Sequence, residues 1–352
     1  MIIGLLAITR ESEMKIDLKK LKECIEKLNQ AKILVIGDLA LDEMVYGDTE
    51  RISREAPVLI LQHTYTKHIL GGASNAAHNV SKINNGKVGV IGIIGDDYQA
   101  DDLRKAFEEA NIDCSGLVID KARKTITKTR ISGSCSHSIT QQIVRIDRQT
   151  NAPISKETED KLIEQIIQKI PEYDAIILSD YHIGTITDKL IKTTVDTAKK
   201  YSKKVIVDAQ KDLHRYQNVF SMTPNLPDTQ KHVGIYLNNK EDFLLAGNKI
   251  LEQTNANCIL ITCGSEGMVV VEKGNKYTHI PVFNKSKVFD VTGAGDTVTA
   301  TYSLALAIGA EPVYAAVIGN IAAGIVIKQF GCATTNISEI LNATPTDIEL
   351  EI

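Results

Sequence analysis

The sequence has no tryptophan, and aromatic residues make up only 5% of its 352 positions. So low an aromatic content argues against the stacking platform on which single-stranded nucleic acids are held. Positive charge is not in excess either. Forty Lys and Arg stand against 44 Asp and Glu, a formal net charge of −4. This excludes the broad basic field of a dedicated nucleic-acid binder but leaves room for a local anion site. The six cysteines, at 24, 114, 135, 258, 263 and 332, form no CxxC pair and no Cys/His cluster at zinc spacing. At this chain length a disulfide framework is not needed, so reduced thiols and a cytoplasmic location are expected. Long apolar runs are missing as well. The N-terminal MIIGLLAI has no basic residue before it and is soon followed by Glu11 and Glu13. It is too short for a usual membrane span and poor as a signal peptide. Neither membrane nor nucleic acid is therefore expected as a partner.

What is present is a repeated rhythm. Short Val/Ile-rich runs at 31–38 (AKILVIGD), 87–94 (KVGVIGII), 175–179, 204–209, 258–262 and 268–272 read as buried strands. Helical periodicity separates them at 71–83, 99–110, 155–169, 187–200, 295–308 and 312–329, and an amphipathic helix over 14–30 places Leu18, Leu21, Ile25 and Leu28 on one face. Continuous apolar strands alternating with helices predict an α/β fold whose mostly parallel sheet is covered on both faces. No change of composition divides the chain. Two stretches, 43–68 and 123–148, break the rhythm with alternating residues such as KTITKTRI and QQIVRIDR. They predict hairpins that form a small lid-like sheet, with edge strands of the core as the competing reading.

The most informative segment is FDVTGAGDTVTATYSLAL, 289–306. Gly293 and Gly295 precede a helix rich in small residues. The unpaired amides of a helix start can face an anion, and glycine lets a phosphate come close. Asp296 falls in the first turn, where its charge is favoured. A carboxylate beside a transferable phosphoryl group is the arrangement of a hydroxyl-directed kinase: the carboxylate takes the proton and the amides neutralise the moving charge. An ordinary Asp after a glycine turn fits the spacing equally well. Neither GxGxxG nor GxxxxGK[ST] occurs in this segment, so no Rossmann or Walker A loop is indicated there, and a dehydrogenase is not favoured.

DVTGAGDT (290–297) and GGASNAAHNV (71–80), in that order of strength and far apart, resemble the two signatures of the ribokinase-like or PfkB family of carbohydrate kinases. The resemblance runs over roughly 30–335. A closer one, to the heptose-7-phosphate kinases of ADP-heptose synthesis, rests on GDLALDEMVYGDTERISREAPV (37–58), TITKTRI (125–131), QQIVRID (141–147), LSDYHIGTIT (178–187), TPN (223–225) and FDVTGAGDT (289–297). It implies a three-layer α/β sandwich with a β-sheet lid through which two copies dimerise. With the kinase domain taken as 31–335, an N-terminal helical extension over 1–30 and a C-terminal tail over 336–352 are expected to flank it. Proteins of this pathway often carry a nucleotidyltransferase after the kinase. The 352-residue sequence resembles the stand-alone kinase form.

The resemblance implies the roles. Asp296 is the catalytic base, and the amides of Gly293, Ala294 and Gly295 form the anion hole. Asp42 and Asn75 meet sugar hydroxyls, with Gly71 and Gly72 allowing close approach. Arg51, Arg54, Lys128, Arg130 and Arg145 supply cations for a substrate phosphate, two or three of them being expected to matter. Gln141 and Asp180 complete the substrate side. ATP is the donor, with Asn225, Thr262, Gly264, Gly267, Asp290, Asn320 and Gly324 on its side. Mg²⁺ is expected near Asn225 and Asp228, resting mainly on phosphates and water. Three departures from the family pattern stand out. His182-Ile183 replaces Gly-Lys, Asp208-Ala209-Gln210 replaces Asp-Pro-Lys, and Asp228 takes the place of a Glu. They leave open a kinase for another sugar, sugar phosphate or nucleoside, and a sugar-binding homodimer without catalysis.

Overall fold

A computed structural model describes residues 13–134, 140–283 and 288–352. The apolar N-terminal run, Cys135 and positions 135–139 of the second irregular stretch lie outside the described residues. The main sheet contains eleven of the described strands. Seven are parallel neighbours, in the order Cys258–Thr262, Ser221–Met222, Lys204–Ala209, Ala175–Asp180, Ile33–Gly37, Val88–Ile94 and Asp113–Ile119. Four antiparallel strands extend the Cys258 edge: Met268–Glu272, Lys276–Ile280, Glu349–Glu351 and Glu13–Lys15.

The Val/Ile runs are continuous because each strand feeds two cores. Ile33 and Val35 pack into the layer under helices Leu18–Lys27, Ala73–Asn84, Ala294–Ala307 and Pro312–Val326. Leu34 and Ile36, pointing the other way, pack under Lys156–Lys169, Asp188–Lys200 and Lys240–Thr254. The helix expected over 14–30 is shorter. Asp17 accepts the amide hydrogens of Lys19 and Lys20 and starts it at Leu18, while Glu13–Lys15 pairs with Glu349–Glu351. Glu13–Lys15 and Glu349–Glu351 thus belong to the main sheet.

The irregular stretches form a separate four-stranded sheet in the order Leu59–Gly72, Leu39–Ile52, Ile126–Ser134, Gln141–Arg148. The central pair is parallel and sets Asp42 opposite Lys128. The outer pair sets Lys128 opposite Asp147 and Arg130 opposite Arg145. With a side-chain period of two, Asp42, Lys128, Arg130, Arg145 and Asp147 share one face. That face looks onto the carboxyl ends of the parallel strands, where open α/β sheets bind their ligands.

Candidate active site

Gly293 caps the helix Ala294–Ala307 in the left-handed region, φ +77°. A Cβ there would stand 2.7 Å from Asn75 Nδ2. Gly295 has ordinary helical backbone, and a Cβ on it would meet nothing within 4 Å. The space it would enter is the junction of two cavities. One, of about 190 Å³, is lined by Asp180, Asp208, Asn225, Asp228, Gly293 and Asp296, among others. The other, of about 520 Å³, is apolar, walled by Met268, Val288, Val291 and Val298, and contains Thr262, Gly264, Gly267, Asn320 and Gly324. Thr262 and Gly295 belong to both. The candidate nucleotide residues therefore come together around one apolar pocket, except Asn225, which lies in the smaller cavity, and Asp290. The Asp290 carboxylate accepts from Thr292 N and Gly331 N, both at 2.9 Å, and ties the two loops at the pocket mouth. Burial pushes its carboxyl upward, but these hydrogen bonds hold it below the usual range.

Asp296 is buried at the head of the smaller cavity. Asn75 Nδ2 donates to its Oδ2 at 2.7 Å and Tyr181 Oη to its Oδ1 at 3.0 Å. Burial pushes its carboxyl up to about 6, against the pull of these two hydrogen bonds and of the Lys128 charge. Asp208 is pushed up to about 7 by burial and by the charges of Asp296 and Asp228. This crowding of carboxylates is what a cation, or a phosphate chain carrying one, would relieve.

A third cavity, of about 430 Å³, opens on the lid side. Lys128, Arg145, Asp147, His182, Lys211 and Lys231 line it, and it shares Tyr181, Gln210 and Asp228 with the carboxylate cavity. Of the five lid cations, Lys128 and Arg145 reach this cavity. Arg130 instead stands 2.9 Å from Asp42, Nη1 to Oδ1, in an ion pair that lacks hydrogen-bond geometry, so neither atom has a hydrogen-bond partner. Arg51 and Arg54 are exposed on the far hairpin and line none of these three cavities. Gln141, exposed at the start of its strand, lines none of them either. Gly71 lies against Asp42, 3.0 Å from its Cγ to a would-be Cβ, and Gly72 against the Asp38 carbonyl.

Several groups inside the quoted motifs act as supports, holding loops and a helix cap around the cavities. Asp38 accepts from the amides of Tyr181, Ile183 and Thr185 at 2.9, 3.2 and 3.2 Å, fixing the loop that brings Tyr181 to Asp296. Asp180 accepts from Tyr216 Oη at 2.5 Å and His182 N at 2.7 Å, so its carboxylate braces the same loop. The Asn225 side chain accepts the Asp228 amide hydrogen at 2.7 Å and caps the helix Leu226–Val233. Asp38 lies within the quoted 37–58 motif, just after an apolar strand, but neither its position nor the motif singled it out as the anchor of the 181–185 loop.

A family model for pfkB family carbohydrate kinases matches residues 30–339. The chain belongs to the pfkB family of carbohydrate kinases. This pfkB-family chain is 36% identical over 328 residues to the bifunctional protein HldE of Pelobacter propionicus, covering 93% of the chain and 66% of the relative. It is 36% identical over 311 residues to that of Helicobacter hepaticus, covering 88% and 63%. It thus spans slightly under two thirds of the length of these relatives. Its fold is that of Arabidopsis thaliana ribokinase complexed with ribose and ATP (TM-score 0.67, 16% identity, 89% of this chain and 98% of that one). It is also that of Escherichia coli phosphofructokinase-2 (TM-score 0.70, 17% identity, 89% and 98%). Among the described residues no helix of this family member is long and apolar enough to cross a membrane.

Proposed function

We propose that the protein transfers the γ-phosphoryl group of ATP to the anomeric hydroxyl of D-glycero-D-manno-heptose 7-phosphate, giving the 1,7-bisphosphate used in ADP-heptose synthesis. One observation carries this reading. Asp296 heads the cavity that joins an apolar pocket on one side to a basic one on the other. The apolar pocket suits a purine. The basic cavity suits an acceptor that already bears a phosphate. The similarity to HldE proteins supports the same choice of acceptor.

In this reading the Asp296 carboxylate takes the hydroxyl proton as the sugar oxygen forms its bond to phosphorus and the bond to the ADP oxygen breaks. Amides at Gly293, Ala294 and Gly295 face the transferring oxygens and stabilise their charge. Asn75 and Tyr181 hold the carboxylate in one orientation and keep it ionised in spite of burial. Asp42, whose Oδ1 lacks a donor, is available to sugar hydroxyls once Arg130 turns away. For Mg²⁺ the donor set fits: Asp208, Asp228 and the Asn225 oxygen border the cavity, and their uncompensated charge favours a cation. In this reading the ion would rest largely on phosphates and water. When bound, Mg²⁺ neutralises phosphate charge during transfer.

We infer further that two copies meet through the lid. Its strands expose Ile52, Leu59, Tyr65, Ile143, Val144 and Ile146, more apolar surface than an isolated edge usually leaves open. The substrate is tested by coupled ATP turnover over a panel of sugars and sugar phosphates, with the product identified by phosphorus NMR. Good turnover of fructose, ribose or a nucleoside with none of heptose 7-phosphate would reject it.

A further inference from the structure

The basic cavity has two walls. The lid supplies Lys128 and Arg145; the body supplies Lys211, from the loop after Lys204–Ala209, and Lys231, from the helix Leu226–Val233. Four basic side chains thus face two acidic ones, Asp147 and Asp228. On the lid the balance is already met in part. Arg145 makes a two-pronged pair with Asp147, at 2.7 Å on both arms, and Lys128 lies over the Tyr181 ring at 5.6 Å. The body lysines make no ion pair within 4 Å among the described residues, although burial pushes the Asp228 carboxyl up and the Lys231 charge reaches it and draws it down. The backbone at Lys211 is also anchored. His182 Nε2 donates to the Lys211 carbonyl at 3.1 Å, and Asp180 fixes the His182 amide. That bond puts the His182 proton on Nε2, because a carbonyl can only accept.

We propose that Lys211 and Lys231 form the body half of an anion subsite that binds the acceptor's own phosphate monoester, so that the acceptor is chosen by two lysines outside the lid. The proposal rests on the kinase reading above. A phosphate dianion brings three acceptor oxygens, which two ammonium groups on a preformed wall can meet while the lid cations close from the other side. The geometry also separates this anion from the nucleotide phosphates. The cavity lined by Lys211 and Lys231 touches neither Gly293 nor Gly295, and the carboxylate cavity lies between.

The test uses the full chain carrying Lys211→Met, Lys231→Met and both together. Both positions are exposed, so folding should be unchanged, and thermal melting checks it. With heptose 7-phosphate as acceptor, each single change should raise KM about 10-fold and the pair about 100-fold, the loss expected for charge-assisted hydrogen bonds to phosphate. The KM for ATP should stay put, and Lys211→Arg should restore much of the loss. An unchanged acceptor KM, or a rise in the KM for ATP instead, overturns the proposal. If the wild type turns over no sugar phosphate, the kinase reading of the substrate fails separately. The subsite is then judged by titration calorimetry with inorganic phosphate. Binding lost in the double variant supports it, and equal or no binding in both proteins overturns it.

Discussion

Gly293 and Gly295 are two positions apart, yet replacing each with alanine should move stability in opposite directions. At Gly295 the backbone is helical and the added Cβ meets nothing within 4 Å. Alanine is the better helix former by about 0.5–1 kcal/mol, so Gly295→Ala should melt about 1–3 °C higher. Its methyl group, however, enters the junction of the apolar and carboxylate cavities, where the proposed transfer brings the γ-phosphate close to the helix start. A displacement of about 1 Å at the reacting centre costs on the order of 100-fold, so kcat/KM should fall by about that factor. At Gly293 the sign reverses. A φ of +77° costs a non-glycine residue about 1–2 kcal/mol. The Cβ also presses on Asn75 Nδ2 at 2.7 Å, the atom that holds Asp296. Gly293→Ala should therefore melt several degrees lower and lose turnover as well. Differential scanning calorimetry and a coupled ADP assay on both variants decide the matter. A Gly295→Ala protein with wild-type kcat/KM would refute the reasoning, because the phosphoryl group would then not travel over Gly295.

The Asp296 carboxyl sits at about 6, and a base must be ionised, so kcat/KM should rise with pH and level off above that value. Tyr181→Phe removes a hydrogen bond that favours the ionised form, and the acid limb should move to higher pH; a limb that stays in place or moves down contradicts the assignment. Asp296→Asn should lower kcat about 10²–10⁴-fold while nucleotide binding, followed by calorimetry, is retained. It should also change stability in a pH-dependent way. A carboxyl raised from 3.8 contributes stability below pH 4 that is lost as pH climbs through 6, so the melting advantage of the wild type over the Asn variant should shrink from pH 4 to pH 7. For the lid, Ile143→Asp with Ile146→Asp should give a monomer by analytical ultracentrifugation where the wild type is a dimer. A wild-type monomer at micromolar concentration would remove that part of the reading.

The apolar strands and their helices were legible because both sheet faces are covered, which imposes continuous Val/Ile runs such as 31–38 and 175–179. The glycine–Asp turn was legible too, since helix starts and left-handed caps restrict residue type locally. The lid could be seen as two irregular stretches, but its parallel central pairing could not. Register is set by contacts between strands more than 80 residues apart, and it alone puts Arg130 on Asp42 and leaves Arg51 and Arg54 outside. The charges of the cleft were hidden for the same reason. Asp38 and Asp208 sit in segments the motifs flag but without a role, and Lys211 and Lys231 carry no signal at all; they become a loop anchor, a crowded carboxyl and a basic wall only when strand ends converge. The sequence by itself determined the layers, the caps and the glycine–Asp turn that carries Asp296, because these depend on neighbours in the chain. Only the tertiary structure decided which charges face one another, because electrostatic pairing depends on distances that sequence spacing does not contain.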